Sequence, residues 1–370
     1  MAEQQKILIL TSKTGGGHVS LAEALRDQLA EGNPIIEIID PQSRFIHWHY
    51  RMVSRYALWL WSAEFQLMNT PVRAHIAHQI FALLVRRPLE RLLKRFQPDL
   101  ILTTYPFLTF EVMEALRKGT RPVPFGMLFT DPQHIHASWL TEKRADITFA
   151  PTAETYQQAL QAGFPPEKLH QVGWPVRLQF TQNYESQRLA LFSKMGLDPA
   201  CFTLFVQGGG EGAAQFGETI NRVLHIDERI QIILATGTNQ ALLTRFQGHK
   251  RLFPLPFTKE IAPYMAVSDL IMGKAGPNML FEAVTLGKPF LATAYIPGQE
   301  EANLEFIQRH GLGWIALTAG EQVSVLTSLL HEPTRLRQMI DSVQAYRQRN
   351  IEACNKIPFL MKELIPVPSH

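Results

Sequence analysis

The residue of this chain best suited to moving a proton is a histidine that directly follows three glycines. His18 comes after Gly15, Gly16 and Gly17, between a short apolar run and an amphipathic helical pattern. The glycines let the backbone pass close to a bound group, and histidine takes a proton near neutral pH. A helix N-terminus beside His18 would favour its neutral, basic form. The pattern predicts a general base, and a histidine that merely caps the loop is the alternative.

A second group of polar residues follows an apolar run at 270–272. The turn at 274–277 leads into a helical pattern, and such a turn directs free backbone N–H groups and a positive helix end at one point, which suits a phosphate. Glu282 lies about one turn into that helix, placed to accept from a ribose hydroxyl. Gln299 and Glu300 follow the next strand at the same sheet edge, where open α/β sheets bind ligands. An ordinary loop-to-helix junction is the alternative.

Further candidates lie at other strand ends. Asp131 ends an apolar strand predicted at 125–130, so it is placed either to orient His18 or to act as the base itself. A carboxylate that caps a helix or a turn is the alternative. In the second half of the chain, the run Gly-Gly-Gly-Glu-Gly at 208–212 is another turn suited to phosphate. Phe257 offers a ring on which a base could stack.

Residues 44–96 differ from the rest of the chain in charge and aromatic content. Nine basic residues face two acidic ones, and three of the six tryptophans fall here. Basic residues mixed with Trp and Tyr suit an anionic membrane surface. The alternatives are a nucleic-acid surface, for which no binding motif is present, and a pair of amphipathic helices whose aromatic residues fill the core. The predicted membrane contacts are Trp48, Arg51, Arg55, Trp59 and Trp61.

Length and composition bound the class of protein. With 370 residues, 46% of them hydrophobic, and a net charge of +3, the chain is long enough for two domains, and its overall charge indicates no partner. The two cysteines, Cys201 and Cys354, provide no disulfide framework and suit a reducing cytosol. No apolar run reaches the roughly 18 residues of a membrane span. Any membrane association is therefore expected to be peripheral.

The glycine turns match no dinucleotide or ATPase motif. Counted from Gly15, the last glycine of G-x-G-x-x-G falls on Ser20, and no G-x-x-x-x-G-K-[ST] run occurs. Two His-x-His pairs, at 47–49 and 134–136, have no cysteine or acidic cluster beside them. We therefore predict no metal site and no cofactor.

Each half of the chain alternates short apolar runs with amphipathic helical patterns. The first half predicts a strand at 6–11, a helix at about 19–30 and a strand at 35–39. The second half repeats the plan, with strands at 202–207 and 230–235. Strands that alternate with helices indicate parallel sheets of the Rossmann type.

Taken together, the motifs of both halves resemble glycosyltransferase family 28, in particular the monogalactosyldiacylglycerol synthases and the processive diacylglycerol glucosyltransferases. The resemblance covers nearly the whole chain and is weakest at 44–96 and after 320. Two positions depart from the usual family pattern, Tyr105 and Asn278. In the first half the motif residues are Ser12, Thr14, Gly15, Gly16, Gly17 and His18, with Asp131, His136 and Trp139. In the second half they are Gly208 to Gly212, Lys274 to Pro277, Glu282, and Pro297 to Glu300 with Asn303.

The resemblance implies an α/β protein with the GT-B fold, in which two Rossmann-like domains face across a cleft. The acceptor- and membrane-binding domain would span 1–178, the UDP-sugar-binding domain 179–340, and a C-terminal helix that can cross back, with a loose tail, 341–370. The implied acceptor-loop residues are Gly15, Gly16, Gly17, Tyr105, Pro106 and His136. The implied nucleotide-sugar-binding residues are Gly208, Gly209, Gly210, Glu211, Gly212, Phe257, Lys274, Ala275, Gly276, Pro277, Asn278, Glu282, Gln299, Glu300 and Asn303.

The implied activity is an inverting transfer of galactose or glucose from a UDP-sugar to a diacylglycerol-type lipid. The enzyme would be cytoplasmic and peripherally associated with the inner face of an anionic membrane, with no nucleic-acid partner. His18, alone or with Asp131, would take the hydroxyl proton. The two glycine turns and Lys274 would meet the charge on the departing UDP without a metal ion. Gln299, Glu300 and Asn303 would contact the sugar, and both hexoses fit them.

Three other functions share this layout. A peptidoglycan lipid-intermediate N-acetylglucosaminyltransferase has the same fold, but the glycines before His18 and the Pro-Gly-Gln-Glu segment favour the glycolipid enzymes. A UDP-N-acetylglucosamine 2-epimerase would need no lipid contact, against which the composition of 44–96 argues. A non-catalytic nucleotide-sugar-binding protein would not need the polar residues of both half-sites.

Overall fold

The computed structural model describes residues 4–14, 16–43, 46–48, 52–53, 57–119, 121–208 and 217–364. The chain divides into two compact units. The first unit comprises Met1–Arg177, Pro297–Ala302 and Asn350–His370, and the second unit comprises Leu178–Ile296 and Asn303–Arg349. The predicted site residues that lie outside the described residues are Gly15, Arg51, Arg55, Gly209, Gly210, Glu211 and Gly212.

The first unit is built on a parallel sheet of six strands with the order β2-β1-β3-β4-β5-β6. The order runs outward from β1 and β3 in both directions, so the carboxyl ends of these two strands adjoin at the switch point where α/β sheets bind ligands. Several strands are buried along their whole length, as strands covered by helices on both faces are. The strands are β1 (Lys6–Leu10), β2 (Ile35–Ile39), β3 (Leu100–Thr103), β4 (Phe125–Leu128), β5 (Ile147–Ala150) and β6 (Leu169–Gln171).

Two helices of this unit, α2 and α3, occupy most of the basic and aromatic region. The helix α3 has 26 residues, contains Pro88, and buries Ala74, His78, Val85 and Leu89. It contacts α2, α4 and α5. The helices of this part of the chain are α1 (Gly17–Gln28), α2 (Leu58–Met68), α3 (Pro71–Phe96), α4 (Thr109–Arg117), α5 (Ala137–Leu140) and α6 (Ala153–Gln161).

The second unit repeats the plan with a parallel sheet of order β12-β11-β10-β7-β8-β9. The α/β prediction of a Rossmann-like sheet is thus confirmed for each unit. The strands are β7 (Phe202–Gln207), β8 (Ile230–Gly237), β9 (Leu252–Pro256), β10 (Leu270–Lys274), β11 (Phe290–Ala294) and β12 (Gly313–Ile315). The remaining helices are α7 (Arg188–Met195), α8 (Gly217–Leu224), α9 (Gln240–Phe246), α10 (Ala262–Ala266), α11 (Pro277–Thr285), α12 (Glu301–Arg309), α13 (Ala319–His331), α14 (Pro333–Cys354) and α15 (Lys356–Leu364).

The last segment of the first unit is tied to the segment that follows β6. Near the end of α14, the Asn350 side chain accepts from the backbone N–H of Trp174 at 2.8 Å and donates to the Trp174 carbonyl at 3.0 Å. Gly173 has a φ of +71°, and a Cβ there would lie 2.6 Å from the Asn350 carbonyl oxygen. This close approach requires glycine at position 173. The buried side-chain amide of Asn350 takes the place of a backbone partner for the N–H and carbonyl of Trp174.

Candidate active site

The first half of the candidate site lies where β1 ends. The hydroxyls of Ser12 and Thr14 lie 2.6 Å apart in the loop that follows the strand. The helix α1 then begins at Gly17, and its N-cap residue, Gly16, has no side chain that could accept from the first backbone N–H groups. His18 is the second residue of this helix. The loop therefore places His18 at the carboxyl edge of the sheet, as the sequence predicts.

A backbone carbonyl orients the His18 ring. The Nδ1 atom of His18 lies 2.7 Å from the carbonyl oxygen of Thr104, which directly follows β3. A carbonyl only accepts, so Nδ1 carries the ring proton and Nε2 is left as the acceptor. The Thr104 hydroxyl in turn donates to the His18 carbonyl at 3.0 Å. These two contacts fix the tautomer that a general base needs.

Tyr105 covers one side of the His18 ring. The two rings meet edge to face, with centroids 5.1 Å apart and an interplanar angle of 82°. The Tyr105 hydroxyl bonds to Thr14 and Ser12, and burial raises the pKa of this phenol above its ordinary value. Pro106 opens a 3₁₀ turn immediately afterwards, Pro106–Leu108. Tyr105 and Pro106, two of the predicted acceptor-loop residues, thus directly follow Thr104, which orients His18.

Burial also sets the charge of the candidate base. It lowers the pKa of His18 to about 4, against smaller opposing contributions from the Thr104 carbonyl and Asp40. The imidazole is therefore neutral at physiological pH, and its Nε2 is ready to accept a proton.

Asp131 has a different environment. Its Oδ2 accepts from the backbone N–H of His136 at 3.1 Å, and burial raises the pKa of this carboxyl group to about 6. The orienting contact predicted for Asp131 on His18 is instead made by Thr104. The role of Asp131 as a base stays a prediction, and its pKa is closer to neutral pH than that of His18.

His136 is held by structural bonds on both ring nitrogens. Its Nδ1 lies 2.7 Å from the Ser138 hydroxyl, at the start of α5. Its Nε2 lies 3.0 Å from the Phe65 carbonyl of α2. In addition, the Asn69 side chain at the end of α2 accepts from the Ala137 backbone at 2.9 Å. His136 therefore joins the loop of Asp131 to α2.

The two candidate bases predict different pH profiles. A general base must be unprotonated in the free enzyme, so the acid limb of kcat/KM follows its pKa. With His18 as the base, we expect kcat/KM to stay level as the pH falls and to decline only around pH 4. A decline around pH 6 would assign the base to Asp131 instead. The measurement is a pH series of initial rates, with circular dichroism at each pH as the control for folding.

The second half of the candidate site lies where β10 ends. A Cβ on Gly273 would lie 2.6 Å from the Gln207 carbonyl oxygen of the neighbouring strand β7, so this strand end tolerates only glycine. The helix α11 begins after Gly276 with Pro277 in its first turn and no side-chain cap. The free N–H groups and helix dipole suit a phosphate there. Gln207 is in register with Gly273, so Gly208 directly follows a strand end that adjoins the end of β10.

Asn303 is tied to the turn at 274–277. The sequence predicts that it contacts the sugar, but its Nδ2 donates to the Ala275 carbonyl at 2.8 Å and the residue is only 3% exposed. The backbone N–H of Ala275 donates to the Ala294 carbonyl at 2.7 Å. Asn303 therefore holds the turn at 274–277 in shape through its amide N–H, and its predicted contact with the sugar stays a prediction.

The other nucleotide-sugar residues occupy varied environments. Glu282 on α11 is buried. Its carboxylate would therefore contact a ligand that enters the fold rather than one that stays at the surface. Lys274 and Asn278 are half-buried at the ends of β10 and α11. Phe257 is exposed directly after β9, so its ring face is open to stacking. Their contacts with a donor stay predictions.

Gln299 and Glu300 lie in the first unit, where their segment packs on α2. The indole N–H of Trp61 donates to Gln299 Oε1 at 3.1 Å. Gly298 has a φ of +80°, and a Cβ there would lie 3.2 Å from the Ser62 hydroxyl. Trp61 is half-buried and its indole holds Gln299, and its predicted membrane contact stays a prediction. Trp48 and Trp59 are exposed, as membrane contacts would be.

We expect Trp61 to position Gln299 for donor binding. Trp61→Phe removes the N–H group but keeps a ring, and the loss of one hydrogen bond of about 1 kcal/mol should raise KM for the UDP-sugar roughly fivefold with kcat unchanged. The matched control is Trp59→Phe, whose side chain is exposed on the same helix. Steady-state kinetics measures both. An unchanged KM in Trp61→Phe, or an equal change in the control, would show that Gln299 needs no positioning.

Sequence reasoning misses one buried pair beside the site. His78 of α3 lies with Nδ1 3.0 Å from Glu111 Oε1 and with Nε2 2.9 Å from the Ser138 carbonyl. Both side chains are buried, and burial raises the pKa of Glu111 to about 6. The pair joins α3, α4 and α5, next to His136. The sequence signal for this pair was weak. It was a histidine, His78, on the apolar face of a helix that is otherwise basic.

Two observations bear on metals and membranes. Among the described residues, no three His, Cys, Asp or Glu side chains cluster as metal ligands would. In the same part of the chain, the search for a helix that combines the length and apolar character of a bilayer span finds none.

Two family models match the chain, one in each half. A model of monogalactosyldiacylglycerol (MGDG) synthase matches residues 18–176, and the glycosyltransferase family 28 C-terminal domain matches residues 203–353. The first match begins at His18 and includes Asp131. The second includes the turn at 274–277 together with Asn303. Both halves of the candidate site therefore lie within matched regions.

Named relatives match over nearly the whole chain. A probable chloroplastic monogalactosyldiacylglycerol synthase of Nicotiana tabacum is 27% identical, over 98% of this chain and 71% of the relative. A processive diacylglycerol beta-glucosyltransferase of Staphylococcus saprophyticus is 26% identical, over 94% of this chain and 90% of the relative.

Solved structures share the fold at low identity. A UDP-glucosyltransferase from Polygonum tinctorium has a TM-score of 0.66 at 13% identity, with 98% of this chain and 99% of that chain covered. A UDP-GlcNAc 2-epimerase from Neisseria meningitidis has a TM-score of 0.60 at 14% identity, with 98% and 99% covered. These likenesses confirm the predicted GT-B fold, and they do not distinguish a transferase from an epimerase.

Proposed function

Since this chain belongs to glycosyltransferase family 28, with the monogalactosyldiacylglycerol synthases and the processive diacylglycerol glucosyltransferases, we propose that it transfers galactose or glucose from a UDP-sugar to a diacylglycerol-type lipid. The observation that carries the proposal is a neutral His18 whose Nδ1 is held by the Thr104 carbonyl. Such a ring presents Nε2 to an acceptor hydroxyl at the edge of the sheet.

The proposed chemistry is a single displacement. His18 Nε2 takes the proton of the lipid hydroxyl as its oxygen attacks the anomeric carbon of the hexose. The bond from that carbon to the UDP oxygen breaks, and UDP leaves with the electron pair. Because the attack comes from the side opposite the leaving group, an α-linked donor gives a β-linked product.

The charge that grows on the diphosphate is met by backbone groups. The uncapped first turn of α11 presents N–H groups and a positive dipole, and Gly208 directly follows Gln207, which is in register with Gly273 of β10. Lys274 supplies a cation at the same strand end. Preorganised donors of this kind stabilise a leaving group where the charge develops. We propose that the reaction needs no metal ion, so turnover should persist in EDTA.

The acceptor also fixes where the enzyme works. A diacylglycerol-type lipid resides in a bilayer, so we propose that the protein acts at the cytosolic surface of an anionic membrane. The exposed Trp48 and Trp59 support this placement, because amphipathic rings favour the headgroup level.

The test is a product assay with each donor. Radiolabelled UDP-galactose or UDP-glucose is incubated with diacylglycerol in mixed micelles, and the organic phase is separated on a thin-layer plate. A labelled glycolipid from one donor supports the proposal and names the hexose. No labelled lipid, with an epimerised UDP-sugar in the aqueous phase, would overturn it in favour of an epimerase. Label transferred only to a peptidoglycan lipid intermediate would assign the other transferase class.

A further inference from the structure

The segment at 297–302 belongs to the first unit and packs on the helix α2. The indole N–H of Trp61 donates to Gln299 Oε1 at 3.1 Å. The backbone of Gly298 approaches the same helix so closely that a Cβ would lie 3.2 Å from the Ser62 hydroxyl and 3.5 Å from Gln66 Nε2. The segment that carries Gln299 is therefore attached to α2 over more than one helical turn.

The end of the same helix holds the loop that carries Asp131. The Phe65 carbonyl oxygen lies 3.0 Å from His136 Nε2, and the centroids of the two rings are 4.2 Å apart. The Asn69 side chain, at the C-cap of α2, accepts from the Ala137 backbone N–H at 2.9 Å. The backbone N–H of His136 in turn donates to Asp131 Oδ2 at 3.1 Å. A single helix thus connects a predicted donor contact with a candidate base.

Both attachments are directional. An indole N–H only donates, so Trp61 occupies Oε1 of Gln299 and leaves Nε2, with its two N–H groups, to donate to a ligand oxygen. The last carbonyl groups of a helix have no partner within the helix, and His136 Nε2 binds one of them, that of Phe65. Each attachment therefore requires α2 to be helical and in place.

The helix α2 is itself marginal. It has 11 residues, and helices of this length are unstable in water without tertiary contacts. All of its residues at 59–68 are half-buried or exposed. Besides packing on α3, the helix is held by the two attachments. We therefore expect its docked arrangement to be only partly populated without a ligand.

A marginal helix held from two sides couples those sides. Coupling requires an element with two arrangements that both sites bias, and α2, docked or undocked, is such an element. A hexose bound by Gln299 stabilises the docked arrangement, and the docked helix holds His136 and its loop in position. A ligand that needs the docked arrangement binds more tightly once that arrangement is populated. The effect is reciprocal, because a coupling free energy acts equally in both directions.

We propose that α2 couples donor binding to acceptor binding, so that each substrate raises the affinity for the other. Trp61 and Asn69 are the positioning residues of the two attachments. The inference rests on the proposed function in that Gln299 contacts the hexose of the UDP-sugar and the loop of Asp131 meets the acceptor. It goes beyond that function because it gives Asn69, a residue on the acceptor side, a role in donor binding.

The first test measures amide hydrogen exchange in the presence of UDP and, separately, of UDP-galactose and UDP-glucose. UDP lacks the sugar that Gln299 would contact, so it should leave exchange in α2 unchanged. At least one UDP-hexose should slow exchange roughly fivefold across 59–68 and also across 136–140, where no donor contact is predicted. Equal protection by UDP, or protection confined to 297–302, would contradict the proposal.

The second test measures the dissociation constant of that UDP-hexose by titration calorimetry. Asn69→Ala should raise it roughly threefold to fivefold, the upper value being the loss of one hydrogen bond, and should leave the constant for UDP unchanged. Asn69→Asp keeps an oxygen that accepts from the Ala137 N–H, so it should restore the wild-type value. Asn69 is exposed, so both variants should fold, as circular dichroism would show.

The matched control for this titration is Asn183→Ala in the second unit. The Asn183 side chain also accepts a backbone N–H at 2.9 Å, that of Glu185, but it has no part in either attachment. This variant should bind the UDP-hexose like the wild type. Unchanged affinity in Asn69→Ala, or an equal loss in Asn183→Ala, would show that α2 does not transmit the effect.

A third measurement separates this inference from the proposed function. The titration is repeated in detergent micelles with the dioctanoyl ester of propane-1,2-diol, a diacylglycerol without the attacked hydroxyl. This lipid should lower the dissociation constant of the UDP-hexose at least roughly fivefold in the wild type, and less than about twofold in Asn69→Ala. Glycolipid synthesis without such coupling would overturn this inference alone. Coupling without any glycolipid product would overturn the proposed function alone.

Discussion

Replacing His18 with alanine should lower kcat by roughly 10²- to 10⁴-fold, the usual contribution of a positioned general base. The donor should still bind, because its predicted partners lie in other segments, around α11. We expect the dissociation constant for UDP to change little. Single-turnover kinetics and titration calorimetry with UDP measure the two quantities separately.

A second substitution distinguishes proton transfer from orientation. His18→Asn retains an amide N–H at the position of Nδ1, so it can donate to the Thr104 carbonyl, but it has no basic nitrogen. It should be as inactive as His18→Ala. Activity within a few-fold of the wild type in either variant would remove His18 from the chemistry and leave Asp131 as the base.

His78→Ala should destabilise the first unit by about 3–5 kcal/mol, because it leaves Glu111 as an unpaired buried carboxylate. The Ser138 carbonyl would lose its partner as well. Urea unfolding followed by circular dichroism measures the change in the free energy of unfolding. The loss should be large because all three elements that meet there, α3, α4 and α5, share this one polar contact.

Two comparisons make the stability result specific. Glu111→Gln keeps a hydrogen-bonding group opposite His78, so it should cost much less than His78→Ala. Replacing both residues with leucine should be close to neutral, as for other buried pairs exchanged for apolar side chains. If His78→Ala cost under about 1 kcal/mol, water would have to reach Glu111 and the pair would not be a structural element.

Regular periodicity explains why much of the fold could be predicted. The strand at 35–39 has the predicted bounds, and the helix expected at 19–30 is found at Gly17–Gln28. Each strand is an apolar run bounded by glycine, proline or a polar turn, so local sequence carries the signal. The family models confirm the resemblance to family 28, and its motifs are recognisable because few residue types fit the turns that hold them.

The missed features depend on contacts that local sequence does not contain. The group that orients His18 is a backbone carbonyl at Thr104, and every residue type has one. Trp61 and Trp59 lie in the same basic and aromatic region of the sequence. The Trp61 indole nevertheless bonds to Gln299, whereas the Trp59 side chain is exposed. The Ala275 carbonyl that Asn303 binds is 28 positions away in the sequence, so local sequence does not indicate this contact.

The first unit has a consequence for synthesis on the ribosome. Its sheet is complete once residue 171 has been made, but Asn350, which bonds both backbone groups of Trp174, emerges much later. Domains usually fold in order as they leave the ribosome. Here the nascent first unit must wait through the translation of the entire second unit before this polar contact forms. A fragment that stops at Arg177 should therefore depend on chaperones, and the Asn350 segment supplied as a separate peptide should rescue it.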